Sequence, residues 1–84
     1  MDHHAKADLR NFIKTTLTNR GDDSDVTDSD SLFISGRLDS LSMMTLIVYL
    51  EKSFRIDFAE VDFEVGLIDS VNEIASFVDA HLAR

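Results

Sequence analysis

Ser40 is the residue whose setting most favours chemistry, and it lies in the stretch Gly36-Arg37-Leu38-Asp39-Ser40-Leu41. Asp39 can cap a helix that begins with the apolar run after it, because a carboxylate there accepts from the free N–H groups of the first turn. Ser40 is then the first helical residue, at the end that carries partial positive charge and tolerates a phosphate. The spacing therefore predicts that another enzyme can attach a phosphate-linked group to this serine.

The tripeptide Asp39-Ser40-Leu41 resembles the attachment site of acyl carrier proteins, in which the serine of an Asp-Ser-Leu motif carries phosphopantetheine. The resemblance covers most of the chain, from about Leu9 to Leu82, and implies an all-α fold. That fold is a small four-helix bundle of acyl-carrier type with a short third helix, formed by a single domain over residues 1–84. The flanking residues that match the family's spacing are Leu32, Phe33, Leu46, Leu50, Glu51 and Phe54.

The resemblance implies a carrier rather than an enzyme. A phosphopantetheinyl transferase would attach 4'-phosphopantetheine from coenzyme A to Ser40, and the thiol of that arm would hold an acyl group as a thioester. The further partners implied are an acyl ligase or acyltransferase and the downstream synthase enzymes of fatty acid or polyketide biosynthesis. The chain needs no cysteine of its own for this role, and it has none.

One departure from the family concerns the helix that follows Ser40. Many acyl carriers have acidic residues on its exposed side, where this chain has Ser42, Thr45 and Tyr49. This difference favours a specialised standalone carrier over the general carrier of fatty acid synthesis. Two alternatives remain open: an aminoacyl carrier of the D-alanyl type, and an unmodified helical adaptor.

A second Asp-Ser pair, Asp69-Ser70, also stands at a predicted helix start. Ser70 is followed three residues later by Glu73, the spacing of a capping box in which each side chain satisfies a free backbone N–H. Ser40 has Met43 at the equivalent position and no such box. We therefore predict Ser40, and not Ser70, as the attachment point.

Two apolar stripes run along the helix predicted from Ser40 to Ser53. The first stripe is expected to face the other helices and to line a cargo pocket. The pocket residues predicted from this stripe are Leu46, Ile47, Leu50 and Phe54, and Ile68 and Val71 are expected to lie opposite them. The second stripe consists of Leu41, Met44 and Val48 and is surplus to a small bundle's core. We expect partner enzymes to dock on this second stripe.

The remaining elements follow from hydrophobic spacing. A first helix over about 5–18 has apolar residues every three or four positions and ends near Gly21. A long loop over about 20–38 follows, and a short third helix near Phe63 to Leu67 precedes a last helix from Ser70. The interior anchors expected in the loop are Leu32, Phe33 and Ile34.

Charge and composition narrow the possible functions. The net charge is −8, and residues 21–40 alone contain six Asp against one Arg. Such a surface repels nucleic acid and anionic membranes and attracts basic protein surfaces. The longest apolar run is far below the length of a membrane span and nothing resembles a signal peptide, so we expect a cytoplasmic monomer.

No metal site or active site is predicted. Counted from Asp23, the acidic loop has Asp28 where a calcium-binding EF-hand needs glycine, and Ile34 where it needs glutamate. His3 and His4 lie near the N-terminus, where we expect fraying, and His81 is expected on the surface. Neither a catalytic triad nor a glycine-rich phosphate loop is evident.

Overall fold

Helices account for all the regular structure in the computed structural model, which describes residues 1–58 and 64–82. The α-helices are α1 (His3–Asn19), α2 (Ser40–Phe54) and α3 (Val71–Leu82), and a 3₁₀-helix (Val65–Ile68) lies between α2 and α3. The described ranges contain no strand, so the all-α prediction is confirmed. A bundle of four α-helices is not confirmed, because the 3₁₀-helix stands where the short third helix was predicted. That helix was expected to begin near Phe63, which lies outside the described residues.

Helix α1 begins earlier than its hydrophobic spacing indicates. The carboxylate of Asp2 accepts a hydrogen bond of 2.7 Å from the backbone N–H of Ala5 and so caps a helix that starts at His3. His3 and His4 therefore belong to the first turn of α1. At the other end Gly21 has a φ of 85° and donates to the carbonyl of Thr18, as expected of a glycine that ends a helix.

One hydrophobic core joins the three helices to the loop between α1 and α2. Burying such side chains is the main contribution to stability in a domain of this size. The predicted inward stripe of α2 contributes to it, with Leu46 and Leu50 at most 1% exposed. The fully buried side chains are Leu9, Ile13, Leu17, Leu32, Leu46, Leu50, Ile68, Val71, Ile74 and Val78.

Ion pairs hold the acidic side of the α1–α2 loop against α1 and against the end of the same loop. Arg10 forms two hydrogen bonds of 2.7 Å with the carboxylate of Asp28, and Arg37 bonds Asp22 at 3.1 Å. These bonds are the chief reason that the pKa of each of these two carboxyls lies below its usual range. Five of the six Asp of residues 21–40 are paired in this way: Asp22, Asp25, Asp28, Asp30 and Asp39.

This pairing gives the acidic loop a structural role. The loop was also expected to serve as a negative surface for basic partners, and that role stays a prediction. The cations of α1 and the guanidinium of Arg37 pair with most of its carboxylates, which helps to order a long segment that has no regular secondary structure. Arg37 adds bonds to the backbone carbonyls of Ser24 and Asp25, which fix the middle of the loop.

The end of the same loop is tied to the start of α3 by Asp69. Its carboxylate accepts from the N–H groups of Phe33 and Ile34 at 2.7 and 2.9 Å and from the hydroxyl of Ser31. Its own carbonyl accepts from the N–H of Leu32, which is fully buried. Ile34 is 68% exposed, so the expectation that it anchors the loop in the core was wrong.

Candidate functional site

The start of α2 has the geometry expected from the sequence. Asp39 has extended backbone angles, and its Oδ1 accepts from the N–H of Ser42 at 2.9 Å. The helix accordingly begins at Ser40, which is exposed to solvent. The serine hydroxyl is thus presented at the end of a 15-residue helix, where unpaired N–H donors and the helix dipole favour a negatively charged group.

Arg20 is the second residue that shapes this end of α2. Its guanidinium donates to Oδ2 of Asp39 at 2.6 Å. Because Arg20 is the C-cap residue of α1 and Asp39 is the N-cap residue of α2, this ion pair joins the end of α1 to the start of α2. The hydrogen bond from the N–H of Ser42, followed by that from Arg20, lowers the pKa of Asp39 to about 2. Asp39 is therefore ionised at neutral pH, and the neighbouring cation offsets its charge beside Ser40.

Sequence reasoning did not find Arg20. Its partner is 19 positions away in the chain, and neither helical spacing nor a motif links the two residues. The sequence contains only an indirect indication. Arg20 stands immediately before the glycine that ends α1, so its side chain must lie at the C-terminal end of that helix. Only the course of the loop shows that the next helix begins there.

Ser70 is in a very different setting from Ser40. It is 3% exposed, and its hydroxyl oxygen accepts from the N–H of Glu73 at 3.1 Å, as the capping box predicts. The expected return bond differs, since the carboxylate of Glu73 accepts from the Ser70 hydroxyl at 3.1 Å rather than from a backbone N–H. The hydroxyl of Ser70 is therefore enclosed and used within the fold.

The outward stripe of α2, defined as Leu41, Met44 and Val48, lies in solvent. The exposed fractions of these side chains are 72%, 65% and 45%. Ile34, at 68%, is a further exposed apolar side chain in the loop before α2. A role of the outward stripe in docking stays a prediction.

A cleft of about 420 Å³ opens beside Ser40. We call it the Ser40 cleft. Its walls come from the loop, from the start of α2 and from the 3₁₀-helix, and no sequence pattern linked Val65 to the residues around Ser40. The residues that line it are Phe33, Ile34, Leu38, Asp39, Ser40, Met43 and Val65.

Most of the residues predicted to line a cargo pocket lie in or against the core. Leu46, Leu50, Ile68 and Val71 are at most 1% exposed and pack with the other core residues. The remaining two are only half-buried: Ile47 and Phe54. A cargo chain could reach this set only if the elements that carry it moved apart, so the pocket stays a prediction.

Comparison with known proteins decides the family. Residues 7–78 match the family model described as the phosphopantetheine attachment site, which is most of the 84-residue chain. The chain belongs to this family. Its members carry a covalent 4'-phosphopantetheine group, which confirms the cofactor expected from the sequence, and they act as carriers rather than as catalysts.

Carriers of this family work with phosphopantetheinyl transferases and synthase enzymes. Searches of curated proteins and of solved structures gave no significant match to the chain. Among the described residues, no helix is both long and apolar enough to cross a membrane. Residues 1–58 and 64–82 also contain no group of His, Cys, Asp or Glu side chains arranged to hold a metal ion.

The lowered pKa of Asp39 predicts how acid affects this helix start. A carboxyl whose pKa falls from 3.8 to about 2 on folding stabilises the protein fully above about pH 4. That contribution is lost as the pH falls through about 2, where the folded form takes up the proton. We therefore expect the stability advantage of the wild type over Asp39→Asn to shrink between those limits, as measured by urea denaturation at each pH.

Arg20→Gln provides the control for this measurement. It removes the guanidinium but keeps the hydrogen bond from the N–H of Ser42 to Asp39, so the pH-dependent difference should become smaller without vanishing. A difference between wild type and Asp39→Asn that stays constant down to about pH 2 would contradict the assignment of this pKa shift.

Proposed function

We propose that the chain is an acyl carrier whose 4'-phosphopantetheine is attached to Ser40. The observation that supports this most directly is the contrast between the two Asp-Ser pairs. Ser40 is exposed at the start of a long helix, whereas Ser70 is enclosed and its hydroxyl is already hydrogen-bonded. A transferase must reach the hydroxyl that it modifies, and only the first of these serines meets that condition.

The residues around Ser40 fit such a group. The Ser40 hydroxyl oxygen would form the phosphodiester bond, and the positive end of α2 would favour the phosphate. Asp39 keeps the helix start in place, while Arg20 reduces the repulsion between that carboxylate and a phosphate. The apolar side chains of Phe33, Met43 and Val65 in the Ser40 cleft offer contacts for the part of the arm nearest its attachment.

The attached arm supplies a terminal thiol that can hold cargo as a thioester. A flexible tether of this kind raises the effective concentration of the cargo at each enzyme with which the carrier docks. Apolar cargo is favoured here because the inward stripe of α2 and much of the Ser40 cleft are apolar. An acyl group therefore suits this chain better than the polar aminoacyl group of the alternative.

The outward stripe supports a docking role in a specialised system. Between Ser40 and Leu50 helix α2 has no charged residue, so a partner cannot recognise this face through acidic side chains. Leu41, Met44 and Val48 instead offer an apolar strip beside the modified serine. A partner that covered it would bury surface that now faces water, which stabilises the complex.

The attachment site is tested by intact mass. After incubation with coenzyme A and a phosphopantetheinyl transferase of broad specificity, wild type and Ser70→Ala should gain one phosphopantetheine group, and Ser40→Ala none. Ser70→Ala should lower the free energy of unfolding by about 0.5–2 kcal/mol, the usual cost of losing an N-cap. Modification that persists in Ser40→Ala would contradict the proposed site.

The docking role of the outward stripe is tested with Met44→Glu. A charge at this exposed position should slow modification by the transferase but leave the melting temperature nearly unchanged, because surface substitutions have little effect on stability. Ser53→Glu places the same charge at an exposed position nine residues further along α2, on the side opposite Met44, and is the matched control. Equal rates for the two variants, or a large loss of stability in Met44→Glu, would reject the docking role.

The cargo pocket is tested by thermal denaturation across a series of acyl groups. Each methylene buried between the helices contributes about 0.8 kcal/mol before the cost of opening the bundle. The melting temperature of the acylated carrier should therefore rise with chain length above that of the form with a free thiol. A D-alanyl thioester is the polar control, and a melting temperature that stays flat across the acyl series would favour short or aminoacyl cargo.

A further inference from the structure

Asp69 is a buried carboxylate that neither the attachment site nor the docking stripe uses. It is 5% exposed and accepts three hydrogen bonds through its side chain, from Ser31, Phe33 and Ile34. Burial alone would raise its pKa, but these hydrogen bonds hold it below the usual range. A charged group in this position is stabilised only while the loop amides point at it.

The amides that Asp69 holds belong to one wall of the Ser40 cleft. Phe33 and Ile34 line that wall, and the side chain of Ser31 extends the network by accepting from the N–H of Ser35. A second wall includes Val65, whose 3₁₀-helix ends at Ile68, directly before Asp69. The two walls that face the start of α2 are therefore joined at this one residue.

We propose that Asp69 is a positioning residue for the modification of Ser40. It acts through the backbone of Phe33 and Ile34, which it holds so that the Ser40 cleft has the shape a transferase recognises. This inference rests on the proposed attachment at Ser40. Asp69 is not expected to touch the reacting atoms, because its carboxylate is directed at the loop amides.

The start of α2 does not depend on Asp69. The cap of this helix comes from Asp39, and the ion pair to Asp39 comes from Arg20. Loss of the Asp69 carboxylate should therefore leave Ser40 at the head of an intact helix while releasing the wall beside it. This separation predicts an effect on recognition of the carrier rather than on the chemical step.

The test is the steady-state kinetics of a broad-specificity transferase with the apo chain as the varied substrate. Asp69→Ala should raise KM about tenfold and leave kcat nearly unchanged, the pattern of lost binding that is equal in ground and transition states. Asp69→Asn keeps one oxygen that can accept from the loop amides, so its KM should lie between those of wild type and Asp69→Ala. The amide proton shifts of Phe33 and Ile34 should move in the same order.

Ser70→Ala is the matched control from the adjacent position. It removes the cap of α3 and lowers stability, but the Ser70 hydroxyl makes its hydrogen bonds with Glu73 and not with the loop. Its KM and the two amide shifts should therefore match those of wild type at a temperature well below melting. An equal rise in KM for Ser70→Ala and Asp69→Ala would show that stability alone is responsible and would overturn the proposal.

Two further outcomes are separable. If Asp69→Ala does not fold, Asp69→Asn and Ser31→Ala carry the test, since each removes one hydrogen bond of the set and should raise KM by less. Unchanged KM in both would overturn the positioning role.

The failure of the proposed function and the failure of this inference give different results. If the wild-type chain is modified at a residue other than Ser40, the proposed function fails. If the chain is modified at Ser40 and KM does not change in the Asp69 variants, only the positioning role fails.

Discussion

The hydrogen bonds to the buried carboxylate of Asp69 are the interaction on which the shape of the chain before α2 depends. Exposed ion pairs contribute about 0–1 kcal/mol each, so the pairs along the acidic loop order it without fixing it firmly. A buried polar group that loses its hydrogen-bond partners costs about 1–3 kcal/mol, and a charged one costs more. The carboxylate of Asp69 is such a charged group, 5% exposed with three loop donors converging on it, which makes it the stronger attachment of the loop to the helices.

The ion pairs place the beginning of the loop, and Asp69 places its end. Arg10 fixes the acidic segment against α1, and Arg37 ties that segment to the end of the same loop, while Arg20 reaches the residue that caps α2. The start of α2 is thus attached to the end of α1, and the loop wall beside Ser40 is attached separately to the start of α3. This arrangement explains how a long loop without regular secondary structure can deliver a serine to a defined position.

Local patterns predicted what local interactions determine. The cap at Asp39, the outward stripe of α2 and the cap at Ser70 each depend on residues within one or two helical turns, and each is present in the structure. The inward stripe is present in part, since Leu46 and Leu50 are buried but Ile47 is only half-buried. Ser42 was expected on the exposed side of α2, and this was wrong, because it is only 7% exposed. Two further interactions join residues that are far apart in the chain, and no spacing rule predicts them. They are the ion pair of Arg20 with Asp39 and the hydrogen bonds of Asp69 with Phe33 and Ile34. The Ser40 cleft escaped prediction for the same reason, since three separate segments form it.

The uncharged face of α2 has a consequence for the speed of association. Favourable long-range electrostatic attraction can raise the rate at which two proteins associate from about 10⁵–10⁶ to as much as 10⁸–10⁹ M⁻¹s⁻¹. A partner that approaches Leu41, Met44 and Val48 meets a helix face that exerts no such attraction of its own from Ser40 to Leu50. Any steering of such a partner then comes from the −8 net charge of the chain as a whole and weakens as ionic strength rises. The contacts on this face itself decide how long each partner stays bound.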